Sequence, residues 1–456
     1  MTPRRDPRRL ATAWCLGVAL ATPAIATAQG TARRPAPRPA ARAVALRDQQ
    51  EGRIPQMDLP GAGPVTLPSP AFPGDQAGTP EFGGDLTPEQ LDAIDQRLRA
   101  RARLIDDPGE RTLAMIGVAR AAIFAEDFAD ARSAIEEAGE FVVREPNANR
   151  RDRRIAVLIA AIVELASAER REAMAARFEG DPTAPLGDGS AANRLDRMRI
   201  VIGDYEKAAD FAQKMSKPQY RSQTLFVLAQ AASTSSSNVA FELSLVDRGR
   251  DDLAPDLDAL TLVADTLLVR ASQFARRADR VAWRDQALAT VAANGANSNQ
   301  FARSLEIARM IPLPEARSGA LLSVAEAEAR KGSPERATMI YGETARAIAS
   351  IPIDDLRATL ADVLIDSLIS AGRYDDARAS VVLIPDRNRK IGALSAVAEA
   401  MGRRGLATSA TAWIEREAAP ADRSLLLRRV NDGVLAGLEQ YRTSVSVNSP
   451  GMSDRP

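Results

Sequence analysis

Asp265, Glu326, Asp366 and Glu399 each stand nine residues after the start of a recurring segment, so their carboxylates share one register. Thr359 and Asp362 precede Asp366 by seven and four residues, which puts all three on one face of a helix. Carboxylates in such a row have two uses. They can accept hydrogen bonds from the basic side chains or the amino end of a bound peptide, or they can form a solvated face closed by their own cations. Glu326 has Arg330 four residues on and Glu399 has Arg403, the orientation that favours pairing along a helix. Both readings stand at this level.

A second row is basic. Arg111, Arg153, Arg221, Arg284, Arg317, Arg357, Lys390 and Arg423 open eight of ten such segments. A cation in the first turn of a helix opposes the macrodipole at a cost of about 0.3–1 kcal/mol, so its recurrence needs a reason. The structural one is that each cation lies beyond the preceding helix and bonds its open carbonyls, where positive charge is favourable. The functional one is a basic edge that recognises an acidic partner.

Most catalytic chemistry is excluded by composition. The chain has no histidine, and its one cysteine is Cys15. Without imidazole or a later thiol there is no Ser-His-Asp triad, no Cys-His pair and no ordinary zinc site. GxGxxG, P-loop and GxSxG signatures are absent. The loop 179–190, EGDPTAPLGDGS, lacks the alternating acids of a calcium site. Aromatics make up 4% of the chain, little basis for a sugar-stacking cleft, and Trp283 and Trp413 fit wedges at helix junctions. No metal or cofactor is expected, and the chain is read as a non-enzyme. The alternative that survives is an all-α envelope or polysaccharide-processing enzyme working with carboxylates, Tyr and Arg, which would need two carboxylates paired in a deep pocket. A passive spacer is the third reading. Lys+Arg and Asp+Glu are equal at 60 each, so no charge bias points to nucleic acid.

The elements that position these residues repeat. RTLAMIGVA at Arg111, RSQTLFVLA at Arg221, RDQALATVA at Arg284, RSGALLSVA at Arg317 and KIGALSAVA at Lys390 share one pattern. Counting the basic residue as zero, offsets 4, 7 and 8 are apolar or small and lie on one helical face. Divergent copies start at Arg153, Asp188, Asp256, Arg357 and Arg423, giving ten starts with a mean spacing of about 35 residues, close to the period of two-helix repeats. A second motif reads as the joint inside each pair: a turn residue, an aromatic two on, an Ala five on. It occurs as Gly203-Asp204-Tyr205-Glu206-Lys207-Ala208, as Glu126-Asp127-Phe128 with Ala131, and as Gly372-Arg373-Tyr374 with Ala377. Gly332 with Ala337 and Gly405 with Ala410 are weaker copies.

In these features the chain resembles a tetratricopeptide-like α-solenoid. Residues 357–385 match best, through Leu364 and Leu368, then Gly372 and Tyr374, then Ala377 and Val381. The resemblance implies an all-α, right-handed superhelical solenoid of about ten helix–turn–helix repeats over 111–441. It also implies an open face on the first helices that holds a protein or peptide partner.

Around this array the reading is of an exported protein, periplasmic or secreted. Arg4, Arg5, Arg8 and Arg9, an apolar run from Leu10 to Ala21 and Ala26-Thr27-Ala28 have the layout of a signal peptide cleaved after Ala28. Losing four Arg and one Asp takes the net charge from 0 to −3. Residues 29–86 hold ten Pro and eight Gly and read as a disordered linker. Residues 87–110 read as a capping helix, with Thr87 at its N-cap and Pro88 at its first position. Residues 442–456 read as a disordered tail, and no later stretch is long and apolar enough to span a membrane.

Overall fold

A computed structural model describes residues 88–175, 188–244 and 254–448. The signal peptide, the linker, Thr87 and most of the loop 179–190 lie outside the described residues. The chain divides into two units, Met1–Leu98 and Arg99–Pro456. Of the first, the described part is the start of a helix, α1, that spans Pro88–Arg103.

The described residues form sixteen α-helices and no strand. After α1 they alternate as first and second helices of hairpins: α2 (Pro108–Phe124) with α3 (Phe128–Val143), α4 (Ala148–Ala175) with α5 (Asp188–Gln213), α6 (Pro218–Ser244) with α7 (Ala254–Arg276), and α8 (Val281–Asn297) with α9 (Phe301–Arg309). Then come α10 (Pro314–Lys331) with α11 (Pro334–Ala349), α12 (Asp354–Ser370) with α13 (Tyr374–Ser380), α14 (Arg387–Arg403) with α15 (Ala407–Glu417), and a closing α16 (Pro420–Asn448). Each first helix packs on the next, from α2 through α4, α6, α8, α10, α12 and α14 to α16. Each second helix packs against its own first helix and against the next one. This is an α-solenoid: neighbours bury what a single hairpin cannot.

Seven hairpins and a closing helix replace ten equal units. Asp188 and Asp256 open second helices, not new repeats. The cause is length. Helices α4 to α7 run 28, 26, 27 and 23 residues, whereas α2 and α3 run 17 and 16. A hairpin of that length fills about two ordinary periods, so its second helix begins where a new repeat is expected.

The pattern offsets build the core. Met115, Val118 and Ala119 are buried on α2, as are Leu225, Leu228 and Ala229 on α6 and Leu321, Val324 and Ala325 on α10. The joint motif holds at three of its sites. Glu126, Gly372 and Gly405 have left-handed φ of 61°, 72° and 77°, and so does Asn299 at 65°, a copy hidden by its lack of glycine. After each, the next N–H bonds the carbonyl five residues back: Asp127 to Ala122, Gln300 to Gly295, Arg373 to Leu368 and Leu406 to Met401. That bond closes the helix end and turns the chain.

GDYEKA is different. Gly203–Ala208 lies inside α5 and forms no turn. Tyr205 and Ala208 keep the packing role of Phe128 and Ala131, fully buried, while the helix that carries them begins fifteen residues before Gly203, at Asp188. At the far end α16 continues to Asn448, past the expected end of the array. Its crossing of α14 is backbone on backbone. A Cβ on Gly433 would lie 2.0 Å from the Glu399 carbonyl oxygen, and one on Gly402 would lie 2.2 Å from that of Val430.

Candidate functional site

The basic residues occupy one position, the fourth residue of every first helix: Arg111, Arg151, Arg221, Arg284, Arg317, Arg357, Lys390 and Arg423. In α4 that position belongs to Arg151, and Arg153 lies two residues on, exposed. Four of these arginines reach back to carbonyls just past the preceding helix. Arg111 bonds Ile105 O at 2.6 Å, Arg221 bonds Met215 O at 3.2 Å, Arg357 bonds Ile351 O at 2.9 Å and Arg423 bonds Ala418 O at 3.0 Å. The cation is drawn to the turn, which offsets its unfavourable place on its own helix.

The next residue along is buried and polar in five of the first helices: Thr112, Asp152, Ser222, Asp285 and Ser318. Three of these cap the following first helix. Asp152 accepts from Lys217 N at 3.0 Å, Ser222 from Arg280 N at 3.0 Å and Asp285 from Leu313 N at 3.4 Å.

Nine residues after the basic position stand Glu326, Asp366, Glu399 and Asp432, on four successive first helices, α10, α12, α14 and α16. Asp265 does not join them. It sits on the second helix α7, beside a cavity of about 250 Å³ with Asn299, Gln300, Arg303 and Arg336. Its expected place came from the start at Asp256, which α7 removes. Asp432 was missed, although counting nine from Arg423 finds it.

Most of the row is paired. Glu326 lies 4.0 Å from Arg330, Glu399 lies 2.8 Å from Arg403 and 3.9 Å from Arg429, and Asp432 lies 3.5 Å from Arg429. Asp362 pairs with Arg389 of α14 at 2.5 Å, and the Thr359 hydroxyl donates to Asp355 O at 2.8 Å. Asp366 has no cation within ion-pair distance among the described residues. Partial burial, then the neighbouring Asp362 charge, pushes its carboxyl above the usual range. The next two first helices, α14 and α16, line an open groove of about 420 Å³ with Gly392, Ser395, Ala396, Glu399, Leu425 and Arg429.

The buried carboxylates serve the fold. Glu169 and Asp204 both bind Arg132, with Asp204 Oδ2 at 2.9 Å, and join α3, α4 and α5. Glu328 accepts from Ser333 N at 2.9 Å and holds the start of α11. Trp283 packs edge-on against Phe226 at 5.4 Å, a wedge between α6 and α8. No cluster of His, Cys, Asp and Glu among the described residues is placed to hold a metal ion. No described helix is long and apolar enough to cross a membrane.

The stack of hairpins decides the architecture. The chain is a helical-repeat protein. No protein-family model matches it, and no curated protein matches its sequence. Among solved structures it is similar to one described as a "circular tandem repeat protein with novel repeat topology and enhanced subunit contact surfaces". That match has a TM-score of 0.35 and 15% identity and covers 78% of this chain and 89% of the other.

Proposed function

We propose that this chain is a non-enzymatic scaffold of the tetratricopeptide-like kind, exported to the periplasm or beyond, that binds a protein or peptide partner on its first-helix face. One observation carries the reading: Glu326, Asp366, Glu399 and Asp432 occupy the same register on four successive first helices, Asp366 exposed and the other three half-buried. The arginines beside them do not close this face. Exposed ion pairs contribute about 0–1 kcal/mol, so a partner's cation replaces an intrahelical arginine at little cost. Asp366 needs no replacement at all. Steps of 33, 40, 33 and 33 residues between the basic positions from Arg284 to Arg423 support the tetratricopeptide-like spacing. The net charge of zero supports a protein partner over nucleic acid.

The test is affinity capture from an envelope extract with the full chain and with a variant carrying E326Q, D366N, E399Q and D432N. The reading expects a protein held at near-stoichiometric yield by the natural chain and lost from the variant. An identical set of proteins on both, or none on either, would overturn it. Fractionation with N-terminal sequencing tests export, and a chain beginning at Gln29 is the expected result.

A further inference from the structure

We infer that the uncharged surface shared by α6 and α8 docks an extended, polar segment of a partner protein whose two ends carry opposite charges. This rests on the scaffold reading and names the chemistry of its partner. Charged residues make up 26% of the chain, yet α6 has none from Ser222 through Phe241 and α8 none from Gln286 through Asn297. Core packing accounts for the inner side of these helices but not for the outer one. A solvated helix face is normally charged, as it is on the neighbouring α4, with Arg153, and α10, with Glu326 and Arg330.

Here the half-buried and exposed positions carry amides and hydroxyls, beside the Phe226–Trp283 ring pair that sits between the two helices. Gln223 and Gln286 hold equivalent positions, two residues after the basic one, and Gln230 and Thr234 continue the line on α6. The three glutamine amides make no hydrogen bond within the described residues. A primary amide both donates and accepts, as a peptide unit does, so such a row matches the main chain of an extended segment. The ends of the surface differ in sign. On one side Arg153 of α4 is exposed and unpaired among the described residues; on the other, beyond α10, whose Glu326 and Arg330 pair with each other at 4.0 Å, lies Asp366 of α12.

The distance between them sets the length of the segment. From α4 to α12 there are four steps between packed first helices, each about 8–10 Å, or about 32–40 Å in all. An extended chain rises about 3.3 Å per residue, so about 10–12 residues separate its acidic end, over Arg153, from its basic end, over Asp366. A neutral polysaccharide would use the amides but not the terminal charges.

The experiment measures binding of fluorescent synthetic peptides to the full chain by anisotropy. Each peptide has a Ser/Thr/Gln centre of about 11 residues, with a Glu pair and an Arg pair at opposite ends, or like charges at both ends, or a centre half as long. The account expects the long mixed-end peptide to bind at least about tenfold tighter than the others, a factor worth one oppositely charged contact. Asp366→Lys should invert the preference towards the peptide with two acidic ends. Replacing Gln223, Gln230 and Gln286 together by Ala should weaken binding about tenfold with an unchanged melting curve. Equal affinity for mixed and like ends, indifference to the glutamine variant, or displacement of the peptide by a neutral oligosaccharide would overturn the inference. If Arg-ended peptides bind the acidic row with no preference for mixed ends, this inference falls and the scaffold reading stands. If no peptide binds and capture also fails, both fall.

Discussion

The carboxylate of Asp152, early in α4, accepts a hydrogen bond at 3.0 Å from the backbone N–H of Lys217, the residue just before α6. The same carboxylate accepts from Ser216 N at 2.8 Å and Ser216 Oγ at 2.7 Å, and its own side chain is almost completely buried. Ser222 repeats the contact one hairpin on and Asp285 one further. Each of these first helices thus caps the start of its successor, and the stack is tied by a polar latch as well as by apolar burial. Asp152→Ala leaves three donors without their acceptor and should cost about 2–3 kcal/mol, read as a lower midpoint in urea denaturation. Ser222→Ala, with one neutral bond lost, should cost about 1 kcal/mol.

Two turns make a matched pair of tests. Glu126 holds a φ of 61° where Gly372 holds 72° in the same kind of joint. A side chain in that region is strained by about 1 kcal/mol or more, and glycine is not. Glu126→Gly should therefore raise the melting temperature, and Gly372→Ala should lower it by a similar amount of stability. Equal and opposite signs are the signature of backbone conformation, since a Cβ on Gly372 would touch nothing.

The closing helix depends on close approach. With the Glu399 carbonyl 2.0 Å from where its Cβ would stand, Gly433→Ala must push α16 away from α14. Overpacking of this kind costs about 1–3 kcal/mol. Hydrogen exchange should show α14 and α16 losing protection while α2 and α3 keep theirs, because a repeat array transmits damage only through neighbours.

Two carboxyls give stability opposite dependence on pH. Hydrogen bonds from Arg309, at 2.5 and 3.0 Å, hold the Glu343 carboxyl below its usual range. Its contribution is full above the unfolded-state pKa and is lost as pH falls through the folded one. Glu343→Gln should destabilise at pH 7 and lose that effect in acid. Burial raises Asp366, so its ionised form is penalised as pH climbs. Asp366→Asn should stabilise at pH 7, and the gain should vanish in acid, where the natural chain takes up its proton. Thermal melts across this range check both signs.

Much of the array is visible in the sequence because offsets 4, 7 and 8 of RTLAMIGVA and its copies are set by packing, and packing reads directly as periodicity. The pairing of helices is less visible. Asp188 and Asp256 fall one period after true starts, and nothing local separates the second helix of a long hairpin from the first of a new one. GDYEKA misleads for the same reason: Tyr205 and Ala208 are constrained by burial, and burial is indifferent to whether Gly203 ends a helix or sits within one. At the candidate site the acidic row on α10, α12 and α14 follows from counting. The latch of Asp152 on Lys217 does not, because its partners are far apart in the chain and meet only once the stack has formed. The surface of Gln223, Gln230 and Gln286 shows itself as missing charge, a signal that means little until those positions are known to face outward.

The most direct test of the account is hydrogen exchange on the full chain with and without the protein it captures. The account predicts that protection gained on binding lies in segments of the first helices, those carrying Gln230, Gln286, Glu326, Asp366 and Glu399. Protection confined to the second helices, with these segments unchanged, would contradict it.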